Sequence, residues 1–361
     1  MTKYFSNAEL LKPPLKRAAY SDRTSYLMAE MSRLAYFRFE GGSNKADLIS
    51  SIKKLLPDGT NIFPITKIIE ASIVPSTPSD GRAILSKILK EHGFDLVTTY
   101  DKPEVGTQAF LCKCEERKMV ILAFRGTEAT SIKDIKADIS ASLNKVSING
   151  KQILIHDGYL KQFRAVEDEI KRDIKTASLL GYQKFVTGHS LGGALAITTL
   201  QFLRNEFNGA CYTFGSPPVG TKAFHDDIKT PIYRIVNHVD IVPRLPSPTL
   251  VLVLKGTAML IGLILAPFAN LSKTIESSNW YNKIKKTLLD AQKYRQCGYV
   301  GFLEGNSTEV RLLFSLGVYD RVKWWVEEIY KLRRGDIKML SEHSIDEYSK
   351  KLAIWAESRK T

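Results

Sequence analysis

Cysteine is scarce in this sequence, four residues in 361 (Cys112, Cys114, Cys211 and Cys297). That is too few for a disulfide framework, and no CxxC pair or finger-type spacing occurs, so all four are read as free thiols. Acidic residues are also in deficit, 38 against 52 Lys and Arg, leaving a net charge of +14. This bias favours anionic partners such as phospholipid surfaces, but no recognised nucleic-acid motif accompanies it, and nucleic acid is not expected as a partner. No apolar run precedes the charged, Pro-containing stretch Lys12 to Arg17, so no Sec-type signal is read. The expected location is cytoplasmic or peripheral to a membrane, with export by a signal-less route left open. Repeats and low-complexity tracts are missing too. With 44% hydrophobic and 25% charged residues, the composition excludes wholesale disorder and allows a sizeable core.

Residues 24–38 place Leu27, Met28, Met31, Leu34 and Ala35 at helical spacing, and 45–56 and 82–91 also read as helices. After Gly93 the pattern changes to short β-forming runs at 94–99, 108–114 and 119–124, with a turn at 115–118. A charged helix over 159–179, with Gly181 as its capping residue, leads into alternation: strand 184–188, helix 191–207, strands 210–214 and 232–236. Alternating elements predict an α/β fold, a mostly parallel central sheet with helices on both faces. The chain is read as one domain over 1–361, with an N-terminal helical region over 1–92.

Gly188-His189-Ser190-Leu191-Gly192 fits G-x-S-x-G and joins a predicted strand directly to a predicted helix, the setting a nucleophile elbow requires. A strained turn needs small neighbours, and Gly188, Gly192, Gly193 and Ala194 supply them. Ser190 is therefore the candidate nucleophile, against the alternative of an incidental Gly-rich turn. In the chain order nucleophile, acid, base, only His343 follows the 232–236 strand and its exit loop at the right place. Asp240 lies just after that strand, where open α/β folds carry their sites, and is the candidate acid. Its plainer reading is an Asx turn before Pro243. An oxyanion needs two preorganised donors. The Leu191 N–H follows the nucleophile, and Thr127, after Gly126 at the exit of the 119–124 strand, is the second candidate.

Taken together, Ala123-Phe124-Arg125-Gly126-Thr127, His156-Asp157-Gly158-Tyr159, Gly188 to Ala194, Thr213-Phe214-Gly215-Ser216-Pro217, Val236 to Pro246 and His343 with Tyr348 resemble the class 3, fungal-type lipases of the α/β-hydrolase fold. The resemblance covers about 20–246 and 335–355. It implies Ser190, Asp240 and His343 as triad, Thr127 and Leu191 as oxyanion hole, and hydrolysis of acyl esters through an acyl-enzyme with no metal and no organic cofactor. Acid and base stand 103 residues apart, about twice the separation expected for minimal members, which marks an insertion at about 247–306.

Ile132, Ile135, Ile139 and Leu143 make an apolar stripe on a predicted helix over 130–143, either a movable lid or a helix docked permanently on the core. Leu250 to Leu271 is strongly apolar with Lys255 its only charge. One membrane crossing there would part acid from base. The segment is therefore expected to lie in a membrane or lipid-droplet interface, or to cap the acyl pocket. The expected function is a serine ester hydrolase acting on acylglycerols or phospholipids. The alternatives are an esterase for soluble esters and a catalytically silent lipase-like scaffold.

Overall fold

The computed structural model describes residues 4–11, 18–37, 80–126, 143–148, 150–204, 206–237, 240, 242–244, 289–305, 308–315 and 341–359. Its centre is an eight-stranded sheet built from β1 (Asp95–Lys102), β2 (Thr107–Cys114), β3 (Met119–Phe124), β6 (Gln183–His189), β7 (Cys211–Phe214), β8 (Ile232–Asn237), β9 (Tyr299–Gly305) and β10 (Val310–Leu313), in that spatial order. A separate hairpin pairs β4 (Leu143–Ile148) with β5 (Lys151–His156). The run from β3 through β9 is parallel, and the outer pairs β1–β2, β2–β3 and β9–β10 are antiparallel. Every residue of β3, β7 and β8 is buried; β3 reads accordingly as a continuous apolar run, while β7 holds Thr213 and β8 holds Arg234 and Asn237.

Helices cover both faces. On one lie α1 (Asp22–Leu34), α2 (Asp80–Glu91) and the late helix α6 (Ile345–Ser358), packed over Phe110, Ile121, Phe185 and Phe214. On the other lie α3 (Asp157–Arg164), α4 (Glu167–Leu179) and α5 (Leu191–Phe202), over Leu122, Val186 and Cys211. α5 is apolar on all sides and buried from Leu191 to Gln201, as a helix sandwiched between sheet and neighbours must be. This is the mostly parallel sheet with helices on both faces expected from the alternation of elements, and the α/β-hydrolase fold that the family resemblance implies.

Three sequence expectations need correction, and one strand went unread. The charged helix over 159–179 is two helices: Arg164 closes α3, and Glu167, Asp168 and Glu169 open α4, each charge suiting the helix end it occupies. Leu143–Ile148 and Lys151–His156 pair as the β4–β5 hairpin, so Leu143, the last residue of the predicted 130–143 helix, opens a strand. The insertion does not extend to 306, because β9 pairs with β8 from Tyr233↔Tyr299 to Asn237↔Leu303 and belongs to the central sheet. The edge strand β10, Val310–Leu313 with Arg311 exposed, went unread. The helix at 82–91 is α2, beginning at Asp80. The expectations for 45–56, 130–142 and 250–271 lie outside the described residues.

Candidate active site

Parallel strands end together, and the loops leaving β6, β7 and β8 meet at one edge of the sheet. At the end of β6 the chain turns sharply into α5 through Ser190, which takes φ 55° and ψ −127°. A left-handed conformation is costly for a non-glycine residue, and the surroundings hold it in place. The Ser190 N–H donates to the Phe214 carbonyl at 2.9 Å, and the Ser190 carbonyl accepts from Gly193 N–H at 3.0 Å. A Cβ on Gly188 would run into the backbone of Gly192, and one on Gly192 into the backbone at Phe124 and Arg125, so the turn closes only on glycine at both places. Ser190 occupies the N-cap of α5, yet its hydroxyl makes no capping bond. Oγ points instead to His343 Nε2, 2.9 Å away.

His343 ends a 3-10 turn, Ser341–His343, just before α6, whose N-cap Ser344 accepts from Asp346 N–H at 3.2 Å. Its Nδ1 donates to Asp240 Oδ2 at 2.8 Å. Nε2 is then the lone-pair nitrogen facing the serine hydroxyl. All three side chains are buried, Asp240 completely. Both readings of Asp240 hold at once: Oδ1 accepts from Val242 N–H at 2.9 Å, closing an Asx turn, while Oδ2 serves the histidine. Gly215, at φ +59°, clears this junction; a Cβ there would stand 2.6 Å from Asp240 Oδ2 and 3.0 Å from His343 Nδ1.

Sequence reading named Tyr348 and Asn237 among the residues that carry the resemblance, but did not find their role behind the acid or that of Lys351. Tyr348 donates its hydroxyl to Asp240 Oδ2 at 2.6 Å and accepts from Asn237 N–H at 2.8 Å. The Asn237 side chain donates to the Glu342 carbonyl at 2.9 Å and to Glu342 Oε2 at 2.7 Å. Lys351, 4% exposed, donates to Asn237 Oδ1 at 2.8 Å and pairs with Glu342 Oε2 at 2.6 Å. Glu342 precedes His343, so this pair, buried on the Lys351 side and half-buried on the Glu342 side, pins the turn that carries the base. Tyr348 and Lys351 are three apart on α6, the one signal in the sequence that both face the same way.

On the serine side, His189 is buried between Tyr36 and His343. Tyr36 Oη lies 2.7 Å from His189 Nδ1, and His189 Nε2 lies 2.6 Å from the His343 carbonyl oxygen. Burial, reinforced by the neighbouring His343, pushes the His189 pKa well below its usual 6.5. The exit of β3 runs alongside: Gly126 is packed against Tyr36 Oη, the His189 carbonyl and Ser190 Cβ, so that a Cβ on it would overlap them. Thr127, the next residue, lies outside the described residues. Leu191 opens α5 directly after Ser190, where helical N–H groups have no intrahelical acceptor and point outward from the helix end.

The arrangement can take a proton from Ser190 Oγ onto His343 while Asp240 holds the imidazole and balances its charge. The family model Lipase (class 3) matches residues 121–250, which include Ser190 and Asp240. A lipase of Rhizomucor miehei is 29% identical over 163 residues, covering 42% of this chain and 44% of that protein. The secreted mono- and diacylglycerol lipase 1 of Fusarium solani is 37% identical over 98 residues, 26% of this chain and 29% of its own length. The phospholipase A1-II 1 of Oryza sativa subsp. indica is 26% identical over 265 residues, 63% of this chain and 64% of that one. The chain thus spans less than two thirds of the length of each of these relatives.

Proposed function

We propose that this chain, a class 3 lipase in its segment 121–250, hydrolyses acyl esters of lipids with Ser190 as nucleophile, His343 as base and Asp240 as the orienting acid. The observation that carries the reading is the continuous chain Ser190 Oγ, His343 Nε2, His343 Nδ1, Asp240 Oδ2, with contacts of 2.9 and 2.8 Å on a strained elbow. As Oγ bonds to the acyl carbon, its proton passes to Nε2, and the carbonyl oxygen becomes an oxyanion received by the Leu191 N–H and by Thr127. Collapse expels the alcohol, which takes the proton from Nε2. Water activated by the same nitrogen then releases the fatty acid and restores Ser190.

A lipid rather than a soluble ester is favoured by the activities for which the relatives are named, acylglycerol lipase and phospholipase A1, and by the net charge of +14. The apolar segment Leu250 to Leu271 adds a means of contact with a membrane or lipid-droplet surface. The 2.8 Å contact between Asp240 and His343, which flank that segment in sequence, argues for insertion from one side rather than a crossing. The test is fatty-acid release from diacylglycerol emulsions and phosphatidylcholine vesicles by the purified protein and by Ser190→Ala. Release by the wild type alone is expected. Turnover of p-nitrophenyl butyrate with neither lipid attacked would make the protein a soluble-ester esterase, and no turnover of any ester would make it a scaffold.

A further inference from the structure

His189 is more than a spacer in the pentapeptide. Its two ring nitrogens face chemically unequal partners, and this fixes the direction of both bonds. The His343 carbonyl can only accept, so His189 Nε2 carries the proton and donates across 2.6 Å. In a neutral ring Nδ1 is then the acceptor, and the proton of the 2.7 Å contact with Tyr36 belongs to the phenol. The chain runs one way: Tyr36 O–H to Nδ1, then Nε2–H to the main chain of His343.

The rings of His189 and His343 stand 4.6 Å apart, 39° from parallel, so the first also packs on the face of the second. A charge on His189 would oppose the imidazolium that must form on His343 during acylation. Burial and the adjacent His343 depress the His189 pKa, keeping it neutral. Tyr36 stands just beyond the end of α1, and its hydroxyl also packs on Gly126, at the turn leading to Thr127. The guanidinium of Arg125 lies over the Tyr36 ring at 5.8 Å from its centroid. Three separate parts of the site therefore meet on this pair: the turn holding the base, the elbow holding the nucleophile, and the strand exit holding the candidate oxyanion donor.

We infer that Tyr36 and His189 form a positioning relay that fixes the main chain of His343, and with it the reach of Nε2 toward Ser190. The inference rests on the triad reading given above, in which His343 is the base. It deepens that reading with two residues that touch neither substrate nor the reacting atoms.

The test is His189→Leu, His189→Gln, Tyr36→Phe and the double variant His189→Leu/Tyr36→Phe, all in the full chain. Loss of registry between base and nucleophile costs about 10²-fold in rate, so His189→Leu is expected to lower kcat about that much with KM little changed. His189→Gln offers both an N–H donor and a carbonyl acceptor and should recover most of the loss. Tyr36→Phe should cost about 5-fold alone and nothing more on top of His189→Leu, since it acts through His189. A readout independent of any substrate is the proton resonance of His343 Nδ1–H, in its bond to Asp240. It should shift upfield in His189→Leu and return toward the wild-type position in His189→Gln. Unchanged kcat and an unmoved resonance in a folded His189→Leu protein would overturn the relay. So would a Tyr36→Phe loss that simply multiplies with that of His189→Leu. If the wild type turns over no ester, the hydrolase reading fails and the resonance alone decides this one.

Discussion

Asp240 divides its work between its two oxygens, and this makes Asp240→Asn an informative change. The remaining carbonyl oxygen can still close the turn to Val242, whereas the new amide would face His343 Nδ1 and the Tyr348 hydroxyl with a donor where both need an acceptor. Turnover is expected to fall about 10³- to 10⁴-fold with the thermal midpoint nearly kept, as checked by ester hydrolysis beside a melting curve. Ser190→Ala and His343→Ala should each lose at least about 10³-fold, and their combination little more, since the members act as a unit. Near-normal hydrolysis by His343→Ala would remove it from the role of base. These three residues were legible in the sequence because each carries a local or ordinal signal: a Gly-flanked elbow, a strand exit, a histidine at the right place in chain order. Tyr36, His189 and Lys351 were not. Their importance arises from contacts between residues 153, 154 and 114 positions apart, which no short-range pattern encodes.

Among the elements, α6 carries the most responsibility for the site without containing any of the three candidate triad residues. It supplies Tyr348 to the acid and Lys351 to the turn that bears the base. Lys351→Met leaves Glu342 without its cation beside the amide of Asn237, and is expected to destabilise the fold by about 2 kcal/mol and to lower kcat more than it raises KM. Urea titration and steady-state kinetics on one preparation check both. The segment 250–271 has its own prediction: Leu260→Asp with Leu263→Asp should abolish sedimentation with anionic liposomes while sparing hydrolysis of a soluble ester. Undiminished sedimentation would favour the cap over the acyl pocket. A strand buried on both faces, β3, was readable from its apolar run, and β6 with α5 from the elbow between them. The break between α3 and α4 was written in Arg164 and the three acids that follow, yet helical periodicity continued across it and hid the end. β9 escaped because only two of its seven residues are buried and it sits beyond a long excursion from its partner.

For the molecule as a whole, acid sensitivity follows from its neutral histidines. Burial lowers the pKa of His225 from 6.5 to about 4 and that of His189 well below 6.5, so the unfolded chain binds more protons than the folded one below pH 6.5. Stability is full above that value and falls as pH drops from 6.5 toward 4. Thermal midpoints measured across this window should show the slope, and His225→Gln should flatten part of it. The last consequence concerns the joining of α1 to α6. Arg33 bonds Asp346 at 2.7 Å, Trp355 Nε1 donates to Asp22 at 2.8 Å, and the fully buried Glu30 is shared by Arg33, Ser349 and the backbone of Phe5. The contacts that join these two helices close over 313 to 333 positions of sequence. Closure over such a separation is slow, so the base is expected to reach the nucleophile and acid in a late step of folding.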